Sequence, residues 1–237
     1  MHRNELKALH ACYLGLIPYD LGALVQAHFH KLVATGQMGP CMLLLEHTPV
    51  ITFGKSTNSD YLKASKGLLH SAGIDLCMTD RGGQVTAHTP GQLVVYPIIP
   101  LRQLGLGVKA YVSLLEQAVI NLLQSFDVRC HRDQEHPGVW YGNSKVCALG
   151  IRVKDRVSMH GLALNVKADL SIFSYIVPCG IEGRTVVNLE SLTNSQLPIE
   201  GIAKLLASEL AKLLKLEMNY HTYNSEPNKI LESNLFG

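Results

Sequence analysis

Two tight turns in the second half of the chain constrain its fold more than any other feature. The first is Tyr141-Gly142-Asn143-Ser144, where Gly and Asn tolerate the backbone angles of a short hairpin loop. The second is Lys154-Asp155-Arg156, and strand-like apolar runs occupy 139–141, 145–153 and 158–166 around the two turns. Strands joined by tight hairpin loops run antiparallel. The sequence therefore predicts antiparallel pairing across this region.

Helical patterns flank these strands. Apolar residues recur at helical spacing in three segments, which begin after Asp20, at Val108 and near Pro198. Asp20 is the expected N-cap of the first helix, and Gly36 is expected to end it. Further strand-like runs lie at 41–45, 50–53 and 92–98. This pattern predicts an α/β (α+β) fold with a mixed, mostly antiparallel sheet flanked by helices.

Length and composition restrict the class of protein. The chain has 237 residues with no visible linker, so residues 1–237 are expected to form one domain, with a peripheral tail from about Ser225. The net charge of +2 does not favour nucleic acid as a partner. The longest apolar run, 93–101, contains Pro97 and Pro100, and it is shorter than the about 20 residues that span a bilayer. No association with a membrane is expected.

The cysteines indicate a reducing compartment. Six are scattered along the chain and none shows the C-x-x-C spacing of a zinc ribbon or a thioredoxin motif. A chain with a large core does not need disulfides. Together with the absence of a signal-peptide pattern at the N-terminus, this predicts a cytoplasmic protein without a bound metal.

A glycine-rich segment is the first candidate for ligand binding. It runs from Arg81 to Gln92, and the pair Gly82-Gly83 permits close approach of the backbone to a ligand. It lacks the Gly-Lys-Ser/Thr ending of a phosphate-binding loop and the spacing of a dinucleotide fingerprint. A loop that merely leads into a strand fits the residue types equally well, and His88 fits a buried strand histidine as well as a catalytic one.

A second candidate is the thiol in Val177-Pro178-Cys179-Gly180-Ile181. Proline and glycine on either side suit a presented thiol, and they suit a buried thiol at a turn equally well. Lys145 follows a hairpin turn, where a lysine is ordinarily solvated; close to a thiol it would lower the thiol pKa. Small residues alternate at Ala148 and Gly150 and again at Gly161 and Ala163, which would open a slot on one sheet face or simply allow close packing.

Four motifs in this order resemble the lipoyl(octanoyl) transferase family, from about His47 to Gly183. The motifs are Arg81-Gly82-Gly83-Gln84-Val85-Thr86 followed by His88, Pro90-Gly91-Gln92 and Tyr96; Lys145-Val146-Cys147-Ala148-Leu149-Gly150-Ile151-Arg152; His160-Gly161-Leu162-Ala163-Leu164-Asn165; and Pro178-Cys179-Gly180. The resemblance implies a fold similar to the catalytic domain of biotin and lipoate protein ligases. It implies transfer of an octanoyl group from octanoyl-acyl carrier protein to a lysine of a lipoyl domain, either of a 2-oxoacid dehydrogenase or of the glycine-cleavage H protein.

The resemblance also assigns residue roles. Cys179 matches the nucleophile that carries the acyl thioester, and Lys145 matches the lysine that lowers its pKa. The substrate-binding stretches match Arg81, Gly82, Gly83, Gln84, Val85, Thr86, Ala87, His88, Ala148, Leu149, Gly150, Gly161, Leu162 and Ala163. Ala87 replaces an aromatic residue that is usual in the family, so the acyl slot and its chain-length preference are expected to differ here. No cofactor is implied, and we expect a monomer.

Two other functions remain open from the sequence. The first is an ATP-dependent lipoate or biotin ligase on the same fold, although no biotin-ligase-type G-R-G-R-x-G loop is present. The second is a non-catalytic protein that binds the acylated carrier and leaves Cys179 unmodified. Covalent acylation of Cys179 separates both alternatives from the transferase.

Overall fold

A computed structural model describes residues 6–57, 61–177, 184–233 and 235–236. The helices are α1 (Tyr19–Ala34), α2 (Lys66–Ser71), α3 (Val108–Gln124), α4 (Leu189–Thr193) and α5 (Ile199–Leu214). The strands are β1 (Ala8–Ile17), β2 (Cys41–His47), β3 (Val50–Phe53), β4 (Asp75–Met78), β5 (Val85–His88), β6 (Gln92–Ile98), β7 (His131–Arg132), β8 (Gly138–Tyr141), β9 (Ser144–Lys154), β10 (Val157–Asn165), β11 (Thr185–Val186) and β12 (Glu217–Thr222). Two 3₁₀ helices lie at Leu170–Tyr175 and Pro227–Glu232.

The described strands form a large and a small sheet. The large sheet has the order β12-β1-β2-β6-β10-β9-β8-β7, with β11 added beside β9, and the small sheet has the order β4-β3-β5. Pairing is antiparallel from β2 through β7, whereas β1 runs parallel to both β2 and β12. The predicted mixed, mostly antiparallel sheet with flanking helices is therefore confirmed.

The two predicted turns join β8 to β9 and β9 to β10. Tyr141 pairs with Ser144, and Gly142 adopts the positive φ of 54° that the first position of this two-residue loop requires. In the second turn, Asp155 and Arg156 both adopt positive φ angles, at 51° and 66°. These two loops fix β8, β9 and β10 as neighbours.

The two faces of the large sheet are covered differently. On one face, α3 and α5 pack over a large apolar core that includes Leu115, Leu122 and Leu206. On the other face, α1 packs mainly against β2, β6 and β10, and Val25 and Phe29 are buried between this helix and the sheet. Next to α1, residues of β9 and of the neighbouring part of β10 line a cavity on this face, and β5 of the small sheet contributes to its wall.

Some boundaries differ from the sequence predictions. α1 begins at Tyr19 with Pro18 as its N-cap residue, so Asp20 lies in the first turn and accepts a hydrogen bond from the Leu21 N–H at 2.8 Å. The C-terminal tail is not peripheral: Ile230 is fully buried, and the ring of Phe236 lies 5.1 Å from that of Phe29 on α1. In the described part of the chain, no helix has the length and apolar character needed to cross a membrane.

Candidate active site

A cavity of about 440 Å³ lies between the large sheet and the glycine-rich segment before β5. Its floor comes from β6, β10 and β9, and its roof comes from residues 81–86. Of the predicted site residues that the structure describes, all line this cavity except Ala87. Segments that are far apart in sequence thus meet around one cavity, as is typical of a ligand site.

The small residues of β9 and β10 lie opposite each other. Ala148 is the Cα partner of Ala163, and Gly150 is the partner of Gly161. The small side chains of the two alanines leave room in the cavity beside Lys145. The two glycines instead serve packing: a Cβ at Gly161 would collide with the Val95 carbonyl on β6, and a Cβ at Gly150 would lie 3.1 Å from the Gly82 carbonyl in the roof.

The roof is fastened by its own polar groups. The Arg81 side chain is buried and donates through Nη2 to the carbonyl and hydroxyl oxygens of Thr52, at 2.8 and 2.9 Å. The Gly82 N–H donates to the Ile151 carbonyl at 3.0 Å, which ties the roof to β9. Arg81 therefore holds the roof over the floor at the same time as it lines the cavity.

Ala87 does not contribute to the cavity wall. Its side chain is fully buried with Ile51, Leu69 and Phe173 in a separate apolar cluster under the small sheet. Successive side chains of β5 point to opposite faces, so Thr86 and His88 reach the cavity and Ala87 points away. Ala87 therefore does not line this cavity, unlike the other predicted site residues that the structure describes, and its effect on chain-length preference stays a prediction.

Lys145 lies at one end of the cavity and is 6% exposed, contrary to the usual solvation of a lysine after a turn. Val139 pairs with Cys147 and Trp140 pairs with Lys145, so β9 carries one extra residue, Val146, in a β-bulge, and Val146 and Cys147 both enter the core beneath α3. Lys145 and Ala148 consequently share the cavity side although three positions separate them. The Lys145 Nζ donates to the Pro137 carbonyl at 3.4 Å.

Gly138 makes room for the Lys145 side chain. Its φ of 142° belongs to a region that favours glycine, and a Cβ there would lie 3.2 Å from the Cε of Lys145. The Gly138 N–H donates to Oε1 of buried Glu116 at 3.0 Å. A side chain of α3 thus holds the backbone that borders Lys145 in place.

His88 is oriented by a chain of amide hydrogen bonds. Its Nδ1 lies 2.7 Å from the Gln92 Oε1, and the Gln92 Nε2 donates to the Asn165 Oδ1 at 2.9 Å. Since the amide oxygen only accepts, the His88 proton resides on Nδ1 and Nε2 carries the lone pair. Burial lowers the pKa of His88 to about 3, so the ring presents a neutral acceptor to the cavity.

Two further histidines are buried in this region, and of these His160 lines the cavity. The Nδ1 of His47 donates to the Ile17 carbonyl at 3.1 Å, and its Nε2 accepts from the Tyr96 hydroxyl at 2.7 Å. His160 adopts a positive φ of 54° within β10 and contacts the Asp80 Oδ1 through Nε2 at 2.7 Å. Burial lowers the pKa of both histidines to about 4. The motif residue Tyr96 and the unpredicted Tyr19 complete this aromatic side of the cavity.

The buried histidines predict acid-labile stability. An unfolded His47 or His88 binds a proton near pH 6.5, whereas the folded forms stay neutral down to pH about 4 and about 3. The unfolded chain therefore binds more protons between these limits, and the free energy of unfolding falls as the pH drops below about 6.5, by up to about 1.4 kcal/mol per histidine and pH unit. Urea midpoints measured from pH 7.5 to pH 4.5 should fall less steeply for His88→Asn than for the native chain.

The exposed His70 provides the control for this measurement. His70→Asn should reproduce the native slope, because the His70 side chain is exposed at the end of α2 and folding does not bury it. Equal slopes for His88→Asn and the native chain would contradict the assignment of acid lability to His88.

Cys179 lies outside the described residues. The structure describes the chain up to Val177, whose N–H donates to the Tyr61 carbonyl at 2.9 Å, and resumes at Arg184. β11 follows directly and pairs Val186 with Lys145. Among the described thiols, Cys147 is nearest to Lys145 in sequence, but it is fully buried on the opposite side of β9 and burial raises its pKa.

Comparison with known proteins gives one consistent result. The family model described as the lipoyl protein ligase A/B catalytic domain matches residues 20–211. An octanoyltransferase of Caldicellulosiruptor saccharolyticus is 36% identical over 214 residues, which cover 90% of this chain and 91% of that protein. An octanoyltransferase of Chloroflexus aurantiacus (strain ATCC 29366) is 39% identical over 215 residues, which cover 90% and 96%.

Solved structures share the fold at low sequence identity. A bipartite lipoate protein ligase of Thermoplasma acidophilum superposes with a TM-score of 0.73 at 13% identity, covering 95% of this chain and 91% of that one. The biotin protein ligase of Aquifex aeolicus in complex with biotin and ATP gives a TM-score of 0.52 at 10% identity, covering 88% and 70%. The expected similarity to the catalytic domain of lipoate and biotin ligases is confirmed.

Proposed function

Because the chain belongs to the lipoyl protein ligase A/B family and resembles its octanoyltransferases along most of its length, we propose that it carries an octanoyl group on Cys179. Octanoyl transfer in protein lipoylation is the activity that these relatives support. In this proposal, octanoyl-acyl carrier protein is the donor and a lysine of a lipoyl domain is the acceptor. Cys179 and Lys145 perform the transfer.

In the first step, the Cys179 thiolate attacks the carbonyl carbon of the carrier thioester. A new C–S bond forms to Cys179, the C–S bond to the carrier breaks, and the departing thiolate takes a proton from the Lys145 ammonium. One thioester replaces another, so the step needs no nucleotide. The ammonium also stabilises the attacking thiolate, since a nearby cation lowers a thiol pKa.

In the second step, the acceptor lysine attacks the acyl-enzyme as a neutral amine. A C–N bond forms, the bond to the Cys179 sulfur breaks, and the surplus proton of the amine passes to Lys145. Conversion of a thioester to an amide lowers the free energy. The acylated carrier protein and the lipoyl domain thus react one after the other at the same site. This is covalent catalysis by two successive transfers.

The observation that carries the proposal is a buried Lys145 in the wall of the cavity, next to the strand that follows the Cys179 segment. Val186 of β11 is the Cα partner of Lys145, and the Val187 N–H donates to the Lys145 carbonyl at 3.1 Å. Seven positions separate Cys179 from Val186 in the sequence, so the length of the chain is compatible with the proposed approach of Cys179 to Lys145. The cavity of about 440 Å³ exceeds the needs of a catalytic pair alone and suits an acyl chain.

An octanoyl group supplies about six methylenes to such a cavity. At about 0.8 kcal/mol each, their burial contributes roughly 5 kcal/mol to binding. One methylene more or less changes little, so donors of about seven to ten carbons should also serve. A sixteen-carbon donor that reacts as well as octanoyl would contradict this slot.

The test measures transfer of the octanoyl group from octanoyl-acyl carrier protein to a purified lipoyl domain, with and without ATP. We expect ATP-independent transfer that Cys179→Ser abolishes and that Cys147→Ser, the matched buried thiol, leaves in place. A second candidate, the ATP-dependent ligase, is favoured by the shared fold of the lipoate ligases. Acylation by Cys179→Ser from free octanoate and ATP would support the ligase and overturn the transferase.

A further inference from the structure

Trp140 contacts two cationic side chains, Lys145 and Arg184. Its ring is 1% exposed, and the Lys145 Nζ lies 4.6 Å from the ring centroid. The Arg184 Cζ lies at the same distance of 4.6 Å from that centroid. A cation within about 6 Å of a Trp ring is attracted by the negative charge on the ring face, and the attraction strengthens when the pair is shielded from water.

The Trp140 ring is itself held in place. Its Nε1–H donates to the His136 carbonyl at 3.2 Å. Asp133 fixes that loop, because its Oδ1 accepts from the Glu135 and His136 N–H groups at 3.0 Å each. The same carboxylate accepts from the Arg184 Nη2 at 2.9 Å. One acidic residue thus connects the loop under the ring with the guanidinium that contacts it.

The β-bulge explains why Trp140 and Lys145 meet. The bulge leaves Trp140 as the Cα partner of Lys145, on the side of β8 and β9 opposite the α3 core. Both side chains, with Arg184, also line a cavity of about 20 Å³ next to the large one. Lysine has a flexible four-carbon side chain, and a rigid aromatic face reduces the positions that its ammonium visits.

We propose that Trp140 is a positioning residue that holds the Lys145 ammonium at the reacting end of the cavity and anchors Arg184, which follows the Cys179 segment. The proposal rests on the proposed function, since positioning matters only if Lys145 moves protons. Trp140 does not touch the reacting atoms in this account. It acts through the two cations.

Fluorescence tests the contact without any substrate. Trp140 is the one tryptophan among the 237 residues, so the tryptophan emission of the native chain reports on this ring alone. Lys145→Met and Arg184→Met should each change the emission wavelength or intensity. Lys204→Met is the matched control, because the Lys204 Nζ lies 5.8 Å from the Tyr220 ring and should leave the emission unchanged.

Kinetics test the consequence. Trp140→Leu should lower kcat for octanoyl transfer by about 100-fold and leave the KM for octanoyl-acyl carrier protein within about twofold, since displacement of a catalytic group by about 1 Å costs this much. Trp140→Phe keeps an aromatic face and should retain about a tenth of the native kcat or more. Val139→Ala, in the same strand but facing the α3 core, should lose stability without a comparable loss of kcat.

The outcomes separate this inference from the proposed function. If the native chain transfers octanoyl and folded Trp140→Leu does so with an unchanged kcat, the positioning role is overturned and the proposed transferase function stands. Unchanged emission in Lys145→Met would overturn the contact itself. A Val139→Ala kcat as low as that of folded Trp140→Leu would reduce Trp140 to a packing residue. If Trp140→Leu does not fold, the emission of Lys145→Met and the kcat of Trp140→Phe decide: a Trp140→Phe loss of kcat no larger than its loss of stability explains would overturn the positioning role.

Discussion

Lys145→Met should lower kcat for octanoyl transfer by about 1,000-fold. General acid–base catalysis by a positioned side chain contributes typically about 10²–10⁴-fold, and this lysine is assigned both proton transfers and the stabilisation of the thiolate. Methionine fills a similar volume without charge, so the buried site should still pack. The measurement is single-turnover octanoyl transfer together with the rate at which iodoacetamide alkylates Cys179 at pH 7, which should also fall.

Two variants make this result specific. Lys145→Arg keeps the cation but cannot release a proton, so it should restore part of the alkylation rate and little of the transfer. Lys154→Met removes an exposed lysine at the far end of the same strand and should behave as the native chain. Native transfer rates in a folded Lys145→Met variant would contradict the assignment of Lys145.

Ala148→Leu should lower octanoyl transfer by about 100-fold. Ala148 is half-buried, faces the cavity opposite Ala163 and lies outside the apolar clusters, so a larger side chain there fills the cavity without displacing core residues. Loss of room for three or four methylenes removes about 3 kcal/mol of binding, which corresponds to this factor. Transfer rates with octanoyl and acetyl donors provide the measurement, and the acetyl donor should lose far less.

Ala110→Leu, on the exposed surface of α3, is the control for the effect of adding a leucine. It should leave both transfer rates at their native values. An Ala148→Leu variant that melts near the native temperature and transfers octanoyl at the native rate would show that the acyl chain binds elsewhere.

The sequence predicts the central part of the sheet well because local signals act there. Gly142 supplies a positive φ where the β8–β9 loop needs it, and the apolar runs match β3 and β6 to the residue. It misses β1 and β12, which pair in parallel at the other edge of the sheet. A parallel pair requires no turn signal between its members. β12 is mostly polar, so it does not stand out as a strand, and no local signal links the apolar β1 to it.

The candidate site likewise combines features that the sequence predicts with features that it does not. The residues that resemble family motifs converge on one cavity, but spacing does not reveal how each is used. Gly161 packs against β6, Arg81 clamps the roof to Thr52, and Ala87 faces another core. The burial of Lys145 depends on a β-bulge that no residue type in β9 predicts.

The residues missed by sequence reasoning lack a local signal altogether. Tyr19 opens α1 and reaches the cavity only because that helix crosses β2, β6 and β10. Trp140 carries the sole indole of the chain, yet its pattern within β8 indicates only a buried strand. The pairing of Trp140 with Lys145 follows from the register of two strands, which becomes visible in three dimensions.

The central claim is that Cys179 carries the octanoyl group, and intact-mass measurement tests it most directly. The native chain mixed with octanoyl-acyl carrier protein in the absence of an acceptor should gain the mass of one octanoyl group, located on Cys179 by peptide mapping and removed by hydroxylamine. Cys147→Ser should gain the same mass and Cys179→Ser none. A native chain that transfers octanoyl to a lipoyl domain but never shows an adduct on Cys179 would contradict the account.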